Sequence, residues 1–231
     1  MKTNLNITTK NLYQVFKNYT IVGNLRTRSS DYEVTDSDIH ELLSKEMHLL
    51  TEDEIGNFMR SGITTFGDVT DFKHFLPRIL ELMQFDDGNF TKDFILFEKL
   101  NHAKWQSWDD IEIKAMQDYF VALWTKTIND SNATFAKIEA VLMLITTYLG
   151  WDKTFAIWEK SENLQWIHYA VDITLESRLY SIDTTVKDKL LHWFSTEKIL
   201  SKIENAFFQT KDTLEANRIS IAHTILKENG N

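Results

Sequence analysis

Four polar residues lie close together in the chain at helical spacing: Asp68, Asp71, His74 and Arg78. Asp71 and His74 are three residues apart and His74 and Arg78 are four apart, so one face of a helix can present all three. A carboxylate beside an imidazole fixes the ring's tautomer and raises its basicity, which suits general acid–base catalysis. The residues favour a structural interpretation, since Asp68 can cap the helix and Arg78 can pair with either carboxylate. The sequence leaves both open.

The segment around these residues resembles a known family. Residues 64–82 read TTFGDVTDFKHFLPRILEL, which is similar to the TTWGDVDDFRHFLPRILEL segment of a family of uncharacterised bacterial proteins. The resemblance is looser over residues 1–124, where it includes KLNHAKW at 99–105, and it does not extend beyond residue 124. That family has no assigned activity, so the resemblance implies a family and not a function.

The chain departs from the family pattern in three ways. Phe66 stands where the family has tryptophan, and Lys73 stands where it often has arginine. Residues 26–30, Arg-Thr-Arg-Ser-Ser, occupy a region where family members often carry a Cys-Pro-Cys-Cys cluster. Any metal or redox chemistry of those cysteines would therefore be lost in this chain.

Other chemical signatures are missing from the sequence. The chain has no cysteine, which excludes disulfides, thiol nucleophiles and cysteine-ligated metals. No HExxH, GxGxxG or GxSxG pattern occurs, and no phosphate-binding GxxxxGKS/T loop. We therefore expect no metal and no cofactor.

The charge of the chain is acidic and unevenly distributed. Lys and Arg total 25 and Asp and Glu total 34, a net charge of −9, which disfavours direct binding to nucleic acid because that affinity comes mainly from neutralised phosphates. Residues 31–54 contain nine acidic residues against Lys45, a balance of −8. This stretch is either a solvated acidic surface or a landing site for a basic partner.

Aromatic residues beside acidic ones suggest where a protein partner could bind. Trp105 and Trp108 flank a turn that continues into Asp109 and Asp110. An aromatic side chain surrounded by an acidic rim is typical of an interface hot spot, although most of the seven tryptophans should lie in the core. The candidate partner-binding residues are Glu52, Asp53, Trp105, Trp108, Asp109 and Asp110.

Composition predicts an all-α fold. One proline and seven glycines in 231 residues are too few for the turns of a β-rich or α/β fold. Helical spacing of apolar residues predicts about ten to twelve helices in antiparallel helical hairpins, with a solenoid-like stack as an open alternative. We expect a single helical domain over residues 1–231, with a weak lobe boundary near 129–132.

Local signals mark several helix ends. Thr51 and Glu54 form a capping-box pattern, Gly67 suits a positive φ before a helix, and Gly150 suits the end of a strongly apolar helix. Pro77 predicts either a kink or a new helix beginning near it.

The apolar run Val141–Ile145 is far short of the ~20 residues that span a bilayer, and residues 1–6 resemble no secretion signal. We expect a soluble, cytoplasmic protein.

These features favour a non-catalytic protein-binding protein, and a concrete version is an immunity-type protein that neutralises a basic bacterial toxin. One alternative is an enzyme of unknown reaction that uses Asp68, Asp71, His74 and Arg78. Another is a helical scaffold protein.

Overall fold

The computed structural model describes residues 4–21, 25, 35–64, 67–83, 90–163, 165–176 and 184–230, apart from the side chains at 57, 61 and 90–94. In this part of the chain it contains twelve α-helices, two short 3-10 helices and no β-strand, which confirms the predicted all-α class and helix number. The first six helices are α1 (Leu5–Phe16), α2 (Asp36–Leu43), α3 (Glu52–Ser61), α4 (Val69–Leu82), α5 (Phe90–His102) and α6 (Asp110–Asn129). The other six are α7 (Phe135–Leu149), α8 (Trp151–Trp158), α9 (Gln165–Glu176), α10 (Thr184–Phe194), α11 (Glu197–Gln209) and α12 (Thr213–Asn229). Their arrangement as hairpins or a solenoid stays a prediction.

The chain packs as two compact units, Met1–Ala122 and Leu123–Asn231. The division falls inside α6, and the predicted weak boundary near 129–132 lies within the second unit instead. The side chains of α6 explain this position. The Tyr119 hydroxyl donates to the Leu80 carbonyl of the first unit, whereas the Trp124 indole donates to the Thr154 carbonyl of the second. Because α6 contributes a buried side chain to each core, the boundary falls inside this helix rather than in the polar loop that follows it.

The predicted helix-end signals are present in the structure. Thr51 and Glu54 form the capping box at the start of α3, with the Glu54 carboxylate accepting from the Thr51 backbone N–H at 2.7 Å. Gly150 ends α7 with a φ of +77°, and Gly67 has a φ of +68° just before α4. Both glycines therefore occupy the left-handed region, which other residues enter only at a cost.

Helix α4 continues through Pro77, so the alternative of a new helix beginning near that residue is wrong, and the alternative of a kink stays a prediction. A proline inside a helix removes one backbone hydrogen bond. Residues on both sides of Pro77 are buried, among them Leu76 and Ile79. We infer that their packing offsets the lost hydrogen bond.

Aromatic rings pack against one another in both cores. In the first unit, α1 packs on α4, and the rings of Phe58 and Phe75 lie 4.6 Å apart. In the second, Trp158 is fully buried, and its ring centroid lies 5.0 Å from that of Trp124 and 4.9 Å from that of Trp193. No helix in the described ranges is long and apolar enough to cross a membrane.

Candidate functional site

Asp68 and Asp71 form the N-terminal capping box of α4. The Asp68 carboxylate accepts hydrogen bonds from the backbone N–H groups of Thr70 and Asp71, at 2.7 and 3.0 Å. The Asp71 carboxylate in turn accepts from the Asp68 backbone N–H at 2.9 Å. Both carboxylates satisfy backbone donors that the helix itself leaves unpaired, which is the structural interpretation of these two residues.

His74 and Arg78 also hold neighbouring backbone in place. His74 Nδ1 lies 2.7 Å from the Tyr19 carbonyl oxygen, and because a carbonyl only accepts, Nδ1 carries the hydrogen. Arg78 Nε donates to the Leu50 carbonyl at 2.8 Å, and its Nη1 donates to Glu81 at 2.5 Å. Asp71 and His74, which the spacing suggested as an acid–base pair, therefore each engage other groups. The sequence-based candidates lie at the start of one helix and along it, but these hydrogen bonds are those of a scaffold.

A buried ionic cluster lies beside these residues, and sequence reasoning missed it. Lys73 Nζ donates to Glu112 Oε2 at 2.7 Å and to the Tyr19 hydroxyl at 3.0 Å. Tyr19 also donates to the other oxygen of the Glu112 carboxylate. Lys73 Nζ lies 4.4 Å from the centroid of the Trp108 ring, within cation–π range. With Lys73 9% exposed and Glu112 3% exposed, the pair is almost closed to solvent.

The electrostatics of this cluster suit structure better than catalysis. Burial lowers the pKa of the Lys73 ammonium, but hydrogen bonds with Glu112 and Tyr19 outweigh burial, so the pKa is raised above its ordinary value. Burial and the hydrogen bond to Glu112 raise the pKa of Tyr19. A lysine that stays protonated is a poor nucleophile, and a tyrosine that stays protonated is a poor base. At neutral pH Lys73 and Glu112 therefore form an ion pair that joins α4 to α6, and Tyr19 attaches the segment after α1 to it.

Trp105 and Trp108 are core residues, which corrects the prediction that they form an exposed hot spot. They are 3% and 8% exposed, and the Trp108 indole donates to the Ala103 carbonyl at 2.9 Å. Burial of a large aromatic ring stabilises the fold strongly. Acidic residues next to it in the sequence do not prevent that burial. Asp109 and Asp110 are exposed where α6 begins, so these two remain candidates as charged surface residues alone.

Glu52 and Asp53 lie at the edge of a groove in the first unit. The groove, which we call the α3–α4 groove, has a volume of about 420 Å³. Its apolar wall consists of residues from α3, the end of α4 and α5: Ile55, Met59, Ile79, Leu82, Met83 and Ile95. Both acidic residues are exposed in the first turn of α3, and Arg60 is exposed in its last turn. An open apolar groove with charges at its ends is suited to binding rather than to bond-making chemistry.

The second unit has its own partly buried charged group, on α9 and α12. His168 Nδ1 lies 2.6 Å from Glu215 Oε1, and Arg218 pairs with both Asp172 and Glu215. These contacts join two helices that pack together. His168 and Glu215 are 47 positions apart in the chain, a separation that no local sequence pattern could have indicated.

No family model, curated protein or solved structure matches this chain. The resemblance over residues 64–82 therefore stays a prediction, and Thr65 and Phe66 within it, like residues 26–30, lie outside the described residues. Among the residues that the structure does describe, no group of three or more His, Asp or Glu side chains is placed to hold a metal ion.

Proposed function

We propose that this protein is a non-catalytic binding protein whose partner is a basic protein. The observation that carries the proposal is the α3–α4 groove, where an apolar wall lies beside the exposed carboxylates of Glu52 and Asp53. Apolar surface supplies affinity, and a flanking charge of one sign selects partners of the opposite sign and speeds their association. A cytoplasmic immunity-type protein that neutralises a basic bacterial toxin is the concrete form of this proposal.

The bonds of the candidate catalytic residues weaken the enzyme alternative. Asp68 and Asp71 cap α4, while His74 and Arg78 bind the carbonyls of Tyr19 and Leu50. A general acid or base must reach a substrate proton, and side chains already committed to backbone groups would have to leave them first. The acidic composition of the chain agrees with the binding proposal, since net charge −9 favours basic partners.

A matched pair of charge reversals tests the proposal. Glu52→Lys and Glu197→Lys make the same change at the same kind of position, because each residue is the exposed first residue of a helix that follows a threonine cap. The wild-type protein is used at low salt to capture partners from native cells, and the affinity of each purified partner for the three proteins is then measured.

The expected result is a basic partner that binds Glu52→Lys more weakly than wild type and binds Glu197→Lys as well as wild type. The proposal would be contradicted by an acidic partner, or by a partner whose affinity is changed by neither substitution. A parallel variant with Asp109→Lys and Asp110→Lys reports whether the start of α6 contributes to the same surface.

A further inference from the structure

The α3–α4 groove has a feature that its acidic edge does not explain, which is a glycine in the middle of its helical wall. Gly56 lies in the interior of α3 and lines the groove. Glycine is among the least favourable residues for a helix interior because it loses the most backbone freedom on folding. A glycine in such a position usually has a steric or conformational reason.

Contacts with the residues that the structure describes do not supply that reason. A Cβ atom added at Gly56 would meet Arg60 Nη1 at 3.6 Å, which is ordinary van der Waals contact. Two other glycines of the same unit differ in this respect. A Cβ at Gly62 would lie 2.5 Å from the Phe58 carbonyl oxygen, and Gly67 has a φ of +68°. Of these three glycines, Gly56 is the one at which an added Cβ would neither clash with a described atom nor strain the backbone, and it lines the groove.

The charges along α3 indicate the direction of an occupant. Glu52 and Asp53 lie in the first turn and Arg60 lies in the last. An eight-residue separation on a helix is about 12 Å, or roughly two turns. An amphipathic helix that lies antiparallel to α3 would place its C-terminal end beside the two carboxylates, and lysine or arginine is favoured at that end of a helix.

The wall of the groove fits the apolar face of such a helix. Ile55, Met59, Leu82 and Met83 line it, and methionine side chains adapt to the shape of a bound helix. Small residues such as glycine let two helices approach closely. We propose that the α3–α4 groove binds an amphipathic helix of the basic partner, antiparallel to α3, with its backbone closest to Gly56 and its basic last turn over Glu52 and Asp53. This inference rests on the proposed function and names the element of the partner that binds.

The first test uses a defined probe. It is a fluorescently labelled helical peptide of about four turns, built from leucine and alanine, with an apolar stripe and lysines in its last turn. One control peptide has glutamates in place of the lysines, and a second has the same composition with the stripe scrambled. Fluorescence anisotropy gives the dissociation constant of each peptide.

The protein variants are chosen to fold. Gly56→Ala and Gly56→Leu both place a better helix former in α3, so their melting temperatures should equal or exceed that of the wild type. Ser220→Leu adds the same side chain as Gly56→Leu at an exposed position of α12 in the other unit, and it serves as the matched control.

The expected result is that the lysine peptide binds the wild type at least about tenfold more tightly than either control peptide, a difference of about 1.4 kcal/mol. Gly56→Leu should weaken that binding at least about tenfold, Gly56→Ala should weaken it less, and Ser220→Leu should leave it unchanged. Equal binding of the three peptides, or equal binding by Gly56→Leu and wild type, would overturn the inference. So would a wild-type homodimer in sedimentation that Gly56→Leu abolishes, because the groove would then hold a second copy of this chain.

The native partner separates failure of this inference from failure of the proposed function. If a captured basic partner discriminates against Glu52→Lys but binds Gly56→Leu as tightly as wild type, the proposed function stands and the helix-in-groove inference fails. If the captured partner binds both Glu52→Lys and Gly56→Leu as tightly as wild type, the proposed function and the helix-in-groove inference both fail.

Discussion

Replacing Lys73 by methionine should destabilise the protein severely, because it leaves the Glu112 carboxylate buried without its cation. Lys73 Nζ lies 2.7 Å from Glu112, and both side chains are almost fully buried. Removal of one partner from a buried ion pair costs about 3–5 kcal/mol. The lost cation–π contact with Trp108, at 4.4 Å, contributes to the same loss.

A double-mutant cycle isolates the interaction between the two side chains. Glu112→Gln removes the charge while keeping an oxygen that can accept from the Asp109 backbone N–H, as Glu112 does at 3.1 Å. The variant carrying both Lys73→Met and Glu112→Gln has no unpaired buried charge. Its destabilisation should therefore be smaller than the sum of the two single effects by about 0.5–3 kcal/mol.

Urea unfolding followed by circular dichroism measures these free energies of unfolding. The control is Lys114→Met with Asp118→Asn, an ion pair on α6 whose side chains are 66% and 40% exposed. Exposed pairs contribute about 0–1 kcal/mol, so the control cycle should show little coupling. If Lys73→Met costs less than about 1 kcal/mol, or the first cycle is additive, the buried pair does not hold α4 to α6.

Three further results are expected. Gly67→Ala should destabilise the protein by about 1–2 kcal/mol in urea unfolding, because Gly67 has a φ of +68° and an added Cβ would lie 3.2 Å from Asp71; an unchanged midpoint would contradict this. Hydrogen bonds from Lys45 and from the Thr51 backbone lower the pKa of Glu54 from 4.5 to about 2, so the stability that Glu54 adds is complete above about pH 4.5 and is lost as the pH falls towards 2. The difference in melting temperature between wild type and Glu54→Gln should shrink over that range, and a pH-independent difference would refute the cause. EDTA should leave the melting temperature unchanged, and a fall that zinc reverses would reveal a metal site.

Local sequence signals predicted the elements of the fold well. Scarce proline and glycine indicated helices, and Thr51 with Glu54 marked the start of α3 because a capping box needs only residues three apart. Gly150 marked the end of α7 for the same local reason. The division inside α6 was not predictable, since it depends on which core each buried side chain of that helix enters.

The candidate site was predicted less well, because its key contacts are distant in sequence. Lys73 and Glu112 are 39 residues apart, although one signal was available. Lys73 lies three, four and seven residues before the buried Leu76, Pro77 and Leu80, so helical spacing places it on the buried stripe of α4. A lysine on such a stripe requires a buried partner. Trp108 was misassigned because acidic neighbours in sequence say nothing about the direction of a side chain.

The association rate of the purified basic partner, measured as a function of salt, tests the central claim most directly. The Debye length falls from ~10 Å at 0.1 M salt to ~3 Å at 1 M, so the wild-type rate should fall steeply over that range. The double variant Glu52→Lys and Asp53→Lys should associate more slowly at low salt and show little or reversed salt dependence, while Glu197→Lys should follow the wild type. Equal rates and equal salt dependence for all three proteins would contradict the claim that the acidic edge of the α3–α4 groove is a binding surface.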